Sequence, residues 1–219
     1  MKKVFTSRQY KRGLSDSQWK AFNDLGFVRL GGSTIAPFME QIKNEIAHYG
    51  VDFRKIDYAF HGTIRKFVSE RLFCDIAARE YGSGIPIALR RCILINKKPL
   101  QIPSQESVIP WHQDIWEKFR FNPTITVWTA LDKATPLNGC LRVVPRSHVI
   151  ELSGTSRTGF LSPEQCEVVE HCCEWINLPA EPGESILLHN YLLHSTRHNQ
   201  THDCRRAISA CYAPSEFMR

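Results

Sequence analysis

Hydrophobic residues in the first third of the chain recur every three or four positions, which is the spacing of amphipathic helices. This spacing predicts helices over residues 15–25, 35–48 and 64–81. In the first, Ser15 and Gln18 have the spacing of a capping box, and Gly26 stands where the helix would end. Residues 27–30 then predict a short strand. We interpret the apolar positions of these segments as core.

From residue 85 onward the pattern changes to short strand-like runs separated by proline, glycine and asparagine. The predicted strands cover residues 87–96, 124–131, 140–144, 175–178, 185–193 and 207–212. A helical N-terminal third followed by a β-rich remainder is typical of a jelly-roll barrel with flanking helices. We therefore expect a mainly β fold, a double-stranded β-helix of the cupin-like kind, built as a single domain over residues 1–219.

The amino-acid composition argues against several classes of protein. The chain has 219 residues, 42% of them apolar, and a formal net charge of +6. No run approaches the roughly 18 apolar residues of a membrane helix, and the N-terminus predicts no signal peptide, so a cytoplasmic protein is expected. Lysine and arginine are scattered apart from short pairs, which does not favour a nucleic-acid binder. A small-molecule partner is expected, and the oligomeric state is left open.

The chain contains eight cysteines, for which free thiols are expected in the absence of a secretory signal. No pair of C-x-x-C motifs is present, so a structural zinc site is weakly supported. Cys166, His171, Cys172 and Cys173 are the candidate zinc group, although adjacent cysteines seldom serve one tetrahedral ion.

The residues with the clearest chemistry are His112 and Asp114, in the run Trp-His-Gln-Asp, and His194 far downstream. Residues two apart in a strand point to the same face, so His112 and Asp114 can reach one ion. Two histidines and a carboxylate form the facial triad that binds Fe(II) and leaves its other face open. A lone H-x-D pattern is weak, however, and a surface pair with a core histidine would also explain it.

The surrounding sequence is more specific. In succession it contains ILINKKP at 93–99, PWHQD at 110–114, VWTALD at 127–132, NGCLRVVPRSH at 138–148, LHSTRHN at 193–199 and CRRAIS at 204–209. This series resembles the phytanoyl-CoA dioxygenase family of Fe(II)- and 2-oxoglutarate-dependent oxygenases. The resemblance covers nearly the whole chain, because residues 14–30 also look like the opening helix and strand of that family.

The resemblance implies iron ligation by His112, Asp114 and His194. Arg205 stands eleven positions after His194 and matches the arginine that binds the distal carboxylate of 2-oxoglutarate; a guanidinium pairs with a carboxylate through two hydrogen bonds. Arg206 is the alternative, but neighbours on a strand face opposite sides.

Three further residues match positions that line the cosubstrate pocket of the family: Trp128, Thr196 and Ile93. Residues that follow the iron motif, Trp116 and Phe119, are hypothetical substrate contacts. Arg90 is a third, because Arg90 and Arg91 could either meet an anionic substrate or face solvent.

The resemblance further implies hydroxylation of a C–H bond in a small molecule, with Fe(II), 2-oxoglutarate and O2 as cofactor and cosubstrates and release of succinate and CO2. Related halogenases carry a small residue at the carboxylate position, so Asp114 favours oxygenation. Alternatives are a catalytically silent barrel that binds a ligand, a zinc hydrolase, and an oxygenase that desaturates, cyclises or epimerises its substrate.

Other histidines compete for these roles. His189 is the rival of His194, and the spacing to Arg205 favours His194. His198 and His202 lie at helical spacing from His194, but the surrounding residues predict a loop. His148 is expected to be structural or peripheral. Its turn carries Arg146 where the family normally has glycine, and a positive φ there would suit arginine less well.

Overall fold

In the computed structural model, the described residues are 13–31, 35–49, 62–82, 85–99, 108–115, 125–152 and 159–215. The helices and strands among them form two antiparallel sheets with helices packed on their outer faces. The helices are α1 (Asp16–Leu25), α2 (Met39–Tyr49), α3 (Gly62–Val68), α4 (Arg71–Tyr81) and α5 (Pro163–Cys172). No helix in these ranges is both long and apolar enough to cross a membrane.

Helix α1 begins and ends as the sequence predicts. The Ser15 side chain accepts a hydrogen bond from the Gln18 backbone, and the Gln18 side chain accepts one from the Ser15 backbone. Gly26 ends the helix with a φ of 83°, a left-handed conformation that glycine adopts without steric cost. The helix buries Trp19 and Phe22 and leads directly into the first strand.

The predicted helix over residues 64–81 is two helices, α3 and α4. Glu70 interrupts it with an extended backbone (φ −58°, ψ 141°). In an unbroken helix Phe67 and Phe73 would point about 120° apart, given 3.6 residues per turn. The break instead brings their rings edge to face at 5.3 Å, so both pack in the same core. The free energy gained by burying both rings therefore outweighs the local preference for one continuous helix.

Within the described ranges, the two sheets contain nine strands: β1 (Phe27–Gly31), β2 (Ile87–Lys97), β3 (Ile109–His112), β4 (Ile125–Ala130), β5 (Leu141–Val143), β6 (Ile176–Leu178), β7 (Ser185–His189), β8 (His194–Thr196) and β9 (Arg205–Pro214). The five-stranded sheet has the order β1-β7-β4-β9-β2, and the four-stranded sheet has the order β3-β8-β5-β6. The paired strands are antiparallel. The mainly β prediction is therefore confirmed.

Three apolar clusters show how the layers pack. The largest lies between the five-stranded sheet and helices α1–α4. A second joins inward residues of both sheets, such as Trp128 and Ile186 from one and Leu141 and Val143 from the other. The third lies outside the four-stranded sheet, where Val169 of α5 packs near Trp111. The second cluster therefore fills part of the space between the two sheets, and the candidate site lies beside this cluster.

The predicted strand over residues 185–193 is wrong in extent. The chain leaves the five-stranded sheet after His189, turns at residues 190–192, and begins β8 in the other sheet at His194. Leu192 donates its backbone N–H to the carbonyl of His189 at 2.9 Å, which closes the turn. Apolar residues continue through the turn because both of its sides are buried. The hydrophobic pattern alone therefore does not show where the strand ends.

Helix α5 was not predicted, and one carboxylate fastens it to the four-stranded sheet. Glu170 accepts a hydrogen bond from Trp111 Nε1 at 2.9 Å and pairs with Arg142 at 2.7 Å. The Arg142 guanidinium lies between two indole rings, 4.7 Å from the centroid of Trp111 and 5.0 Å from that of Trp175. Trp111 precedes His112 in β3, so the network holds the strand that carries the first candidate ligand.

Candidate metal centre

His112, Asp114 and His194 come together between the two sheets. Their potential donor atoms all lie within 4.8 Å of one another. His112 Nε2 is 3.9 Å from Asp114 Oδ1, His194 Nε2 is 4.0 Å from Asp114 Oδ2, and the imidazole centroids are 4.0 Å apart. Two imidazole nitrogens and a carboxylate form a donor set suited to Fe(II). In the described part of the chain, no other group of three or more metal-binding side chains converges in this way.

Hydrogen bonds orient both imidazoles. Nδ1 of His112 lies 2.8 Å from the carbonyl of Pro110, and Nδ1 of His194 lies 2.8 Å from the carbonyl of Leu192. A carbonyl can only accept, so each Nδ1 carries the proton and donates it. Each Nε2 is then left with its lone pair facing the centre, which is the tautomer that binds a metal. The strand pairing His112 with His194 fixes the distance between the rings.

The electrostatics keep His112 neutral. Burial lowers its pKa to about 3, and the neighbouring His194 and the positive charge of Arg91 act in the same direction. The carboxylate of Asp114 and the hydrogen bond to Pro110 oppose this shift but are outweighed. A neutral imidazole is the form that can ligate, so the site needs no deprotonation of His112 near neutral pH.

Asp114 is held beyond the end of β3, which stops at His112, so simple strand alternation does not place it. Its backbone N–H donates to the carbonyl of Asn190 at 2.8 Å, and the Asn190 side chain donates to the Asp114 carbonyl at 3.1 Å. Thr126 Oγ1 lies 3.2 Å from Asp114 Oδ2 and 3.1 Å from Cys211 Sγ. Burial, followed by the charge of Asp114, raises the pKa of Cys211 to about 12, so this neighbour remains a neutral thiol.

Gln113 points away from the centre and hydrogen-bonds to the surrounding loops. Its side-chain amide donates to the carbonyls of Tyr191 and Ile150 and accepts from the backbone of Leu152. Gln113 is fully buried, so these three bonds satisfy a polar group that would otherwise be costly to bury. His112 and Asp114 are thus separated by a residue that fixes the backbone between them.

Arg205 and Arg206 face opposite sides of β9. Arg206 binds Asp132 through two hydrogen bonds, from Nε at 2.7 Å and Nη2 at 2.9 Å, and remains partly exposed. Arg205 is fully buried, and only its Nη2 donates to a described group, the carbonyl of Gly139. Burial lowers the pKa of Arg205 to about 10, which leaves it charged near neutral pH.

Buried donors around Arg205 lack partners among the described residues. They are Nε and Nη1 of Arg205, Nε1 of Trp128 and Oγ1 of Thr196. The Arg205 guanidinium lies 5.7 Å from the Trp128 ring centroid. Unpaired buried donors are rare because each costs free energy, so the two on Arg205 and the one on the neighbouring Trp128 fit a polar guest with carboxylate groups. Thr196 lies two residues after His194 on β8 and shares its face.

Ile93 lies on β2 opposite Ser209, in the register row that continues to Trp128. Paired residues share a face of the sheet, which places Ile93 on the same side as Trp128. Trp116 and Phe119 lie outside the described residues. Arg90 is the extra residue where the register shifts between Leu89 and Arg91. Its assignment as a substrate contact stays a prediction.

The competing histidines are accounted for by other contacts. His189 is not part of the triad; its Nδ1 accepts from the backbone N–H of Tyr191 at 3.1 Å. His148 is buried under α1, with Nε2 2.9 Å from the carbonyl of Asn23. His198 and His202 lie in non-helical backbone, which confirms the predicted loop. Arg146 has a φ of 69°, a left-handed conformation.

The candidate zinc group around α5 does not assemble. Cys172 and Cys173 are exposed, Cys166 is half-buried, and none of them joins a metal-binding cluster in the ranges described. The eight cysteines form no disulfide with one another in the described ranges.

Phe160 was missed by sequence reasoning. It pairs with His112 across an isolated β-bridge, and its ring stacks on the His112 imidazole at 4.8 Å between centroids. It is 39% exposed, so it lies where the centre opens toward solvent. Forty-eight positions separate the two residues, and no local pattern predicts that pairing.

Comparison with known proteins decides the family. The family model described as phytanoyl-CoA dioxygenase matches residues 27–207, most of the chain. The chain belongs to the phytanoyl-CoA dioxygenase family. Proteins of this family are iron- and 2-oxoglutarate-dependent dioxygenases.

Curated relatives of this chain differ in name and in how much of their length the match covers. A probable phytanoyl-CoA dioxygenase of Caenorhabditis elegans is 31% identical over 58% of this chain, but the match covers only 43% of that protein. The match to the human peroxisomal phytanoyl-CoA dioxygenase likewise covers 41% of its length. A methylphosphonate hydroxylase of Gimesia maris is 25% identical over 91% of this chain and 80% of its own.

Solved structures share the fold. EctD from S. alaskensis, with 2-oxoglutarate and 5-hydroxyectoine, has a TM-score of 0.75 at 18% identity and covers 98% of this chain and 81% of that one. SnoK, a non-heme alpha-ketoglutarate-dependent carbocyclase from nogalamycin biosynthesis, has a TM-score of 0.73 at 18% identity, covering 92% and 85%. At such identities the likeness concerns the fold alone.

Proposed function

We propose that this chain is an Fe(II)- and 2-oxoglutarate-dependent dioxygenase that hydroxylates a C–H bond of a small-molecule substrate. The observation that carries the proposal is the convergence of His112, Asp114 and His194, with both Nε2 lone pairs directed at one point. When bound, iron and 2-oxoglutarate supply the oxidation of the substrate by O2, with release of succinate and CO2. The protein positions the groups and excludes water.

The three side chains are proposed as the iron ligands. Thr126 and Asn190 hold Asp114 in place through the contacts described above, since a ligand that must move before binding loses affinity. An ion held by only these three side chains would keep open positions for the cosubstrates, as is usual for a facial triad.

Arg205 is proposed to bind the distal carboxylate of 2-oxoglutarate. Its unpaired Nε and Nη1 are two donors of one guanidinium, the arrangement that binds a carboxylate with two hydrogen bonds. Thr196 and Trp128 offer further unpaired donors, and Ile93 supplies an apolar wall on their side of the five-stranded sheet. These assignments rest on burial and unsatisfied donors.

We also propose the type of barrel that the strands form and the cellular compartment of the protein. Nine antiparallel strands in sheets of five and four fit a double-stranded β-helix, the jelly roll of cupin-like proteins, preceded by a helical N-terminal third. Apolar clusters that join both sheets and the helices support a single domain. Eight free cysteines are usual in a reducing compartment such as the cytoplasm.

Hydroxylation is proposed over other outcomes because a methylphosphonate hydroxylase matches most of this chain and most of itself. Ring closure is the second candidate, since the carbocyclase SnoK has the same fold. Analysis of the product by mass spectrometry separates them: hydroxylation adds one oxygen atom to the substrate, whereas ring closure or desaturation removes two hydrogen atoms.

Anaerobic addition of Fe(II) and 2-oxoglutarate tests the centre. The weak visible charge-transfer band of the chelate is expected with the native protein and is expected to be lost in Asp114→Ala. Admission of O2 should then yield succinate. If neither the band nor succinate forms, the protein is a silent barrel. Substrate turnover without O2 would instead indicate a hydrolase.

A further inference from the structure

A β-bulge in β2 places two arginines in succession beside the centre. Leu89 pairs with Tyr212 and Arg91 pairs with Cys211, so Arg90 is an extra residue without a counterpart in the register. Leu89 and Cys92, on either side of the arginines, both pack in the core beneath the helices. In a regular strand, residues three apart would face opposite sides. The bulge therefore turns both arginines away from the face of the sheet that the helices cover. Bulges near active sites are known to redirect side chains in this way.

The register shows which way Arg91 faces. Arg91 pairs with Cys211, and Cys211 pairs with Thr126 on the next strand. Thr126 Oγ1 contacts both Cys211 Sγ and the carboxylate of Asp114. Because directly paired residues of antiparallel strands point to the same face, Arg91 stands in the row of the five-stranded sheet that faces the metal centre.

Arg91 keeps partial exposure to solvent, so this row of the sheet is not sealed within the core.

The other side of the centre is apolar and open. Phe160 is paired with His112, stacks on its imidazole and is 39% exposed. It stands on the outer edge of the four-stranded sheet, beyond β3, while β2 is an edge strand of the five-stranded sheet. A molecule that entered here would contact an aromatic ring on one side and a cationic strand on the other.

We propose that Arg91, with Arg90 beside it, binds an oxyanion group of the substrate and so sets which C–H bond meets the metal. The group is a carboxylate or a phosphorus oxyanion, and the apolar remainder packs against Phe160. This inference rests on the proposed function and adds a substrate class to it. A guanidinium binds either kind of oxyanion through two charge-assisted hydrogen bonds.

Binding to the anaerobic protein loaded with Fe(II) and 2-oxoglutarate tests the substrate class. Isothermal titration would use methylphosphonate, inorganic phosphate and butyrate, with dimethyl methylphosphonate and butyramide as neutral counterparts. At least one anion is expected to bind at least tenfold more tightly than its neutral counterpart. The preference between methylphosphonate and butyrate separates a phosphorus oxyanion from a carboxylate. If no anion binds, or a neutral counterpart binds equally well, the proposal is overturned.

Substitutions of Arg91 test whether this residue binds the anion. Arg91→Gln is expected to weaken the preferred anion about 10- to 100-fold, the usual effect of losing charge-assisted hydrogen bonds, and Arg91→Lys should restore part of the loss. Arg65→Gln, an exposed arginine of α3, removes the same charge elsewhere and should leave binding unchanged. The affinity for 2-oxoglutarate, followed by the charge-transfer band, should also be unchanged in Arg91→Gln.

Two results would contradict the role of Arg91: unchanged anion affinity in Arg91→Gln, or a weakened affinity for 2-oxoglutarate with substrate binding intact. Failure of the proposed function is separate, because the native protein would then give no charge-transfer band before any anion is added.

Discussion

Adjacent residues of a strand can have unrelated roles because their side chains point to opposite faces of the sheet. Arg205 is buried with two unpaired donor nitrogens, whereas Arg206 is paired with Asp132 at the surface. Burying a guanidinium with unpaired donors costs free energy, and a bound carboxylate would offset that cost. Under the proposed role, 2-oxoglutarate would supply the carboxylate that pairs with Nε and Nη1 of Arg205.

Arg205→Gln is expected to raise the KM for 2-oxoglutarate about 100-fold, because loss of a buried charge pair costs about 2–5 kcal/mol. Succinate release at varied 2-oxoglutarate measures it. Arg206→Gln is the matched control on the same strand: it breaks the pair with Asp132 and should lower stability, while the KM stays within about twofold. Equal increases in the two variants would show that β9 was disturbed and that Arg205 has no specific role.

At the scale of elements, α5 and β3 are joined through Glu170, which holds the buried Arg142 and the indole of Trp111. Glu170→Ala should lower the free energy of unfolding by about 3 kcal/mol, the lower end for breaking a buried pair, since Glu170 itself keeps some exposure. Urea unfolding measures the change. Glu181→Ala removes an exposed partner of Lys133 and should cost under about 1 kcal/mol. Similar losses in both would contradict the buried role.

The elements that could be predicted from the sequence are those whose signals are local. The capping box at Ser15 and the apolar runs of β2 and β4, which are bounded by turn residues, belong to short segments, and both predict the observed elements. Helix α5 has an equivalent capping box at Ser162 and Gln165, but only Val169 of its residues is buried. Because the helix lacks an apolar stripe, the hydrophobic pattern does not predict it.

The candidate centre was predictable in its residue types and less so in its geometry. The ligand triad followed from the H-x-D pattern and the family blocks. The turn at residues 190–192 was not foreseen, although it supplies Asn190 to hold Asp114 and starts the strand of His194. Phe160 depends on a pairing between distant segments, which no periodicity within either segment contains.

At the scale of the whole molecule, buried histidines make stability depend on pH. Burial, and next the nearby His148, lower the pKa of His189 to about 4, below the usual value of about 6.5. The unfolded chain therefore binds a proton at higher pH than the folded protein does. The contribution of neutral His189 is fully present above pH ~6.5 and is lost as the pH falls toward 4.

The metal-free protein is therefore expected to lose stability between pH 6.5 and 4, by up to roughly 3–4 kcal/mol from His189, given about 1.36 kcal/mol per pKa unit. Urea unfolding across this range measures the slope. His189→Gln, which keeps an acceptor for the Tyr191 backbone, should reduce the slope by the share of His189 and leave the share of His112, whose pKa burial also lowers. An unchanged slope would assign the pH dependence to groups other than His189.

The triad also has a consequence for the lifetime of the protein. His112 and His194 are 82 positions apart in the sequence, on neighbouring strands of one sheet. An ion held by both closes that long loop only in the folded chain, so its binding free energy adds directly to folding. Metal supply would then set how often the chain opens far enough for a protease to cut it. For such a protein, iron scarcity reduces the number of molecules as well as their activity.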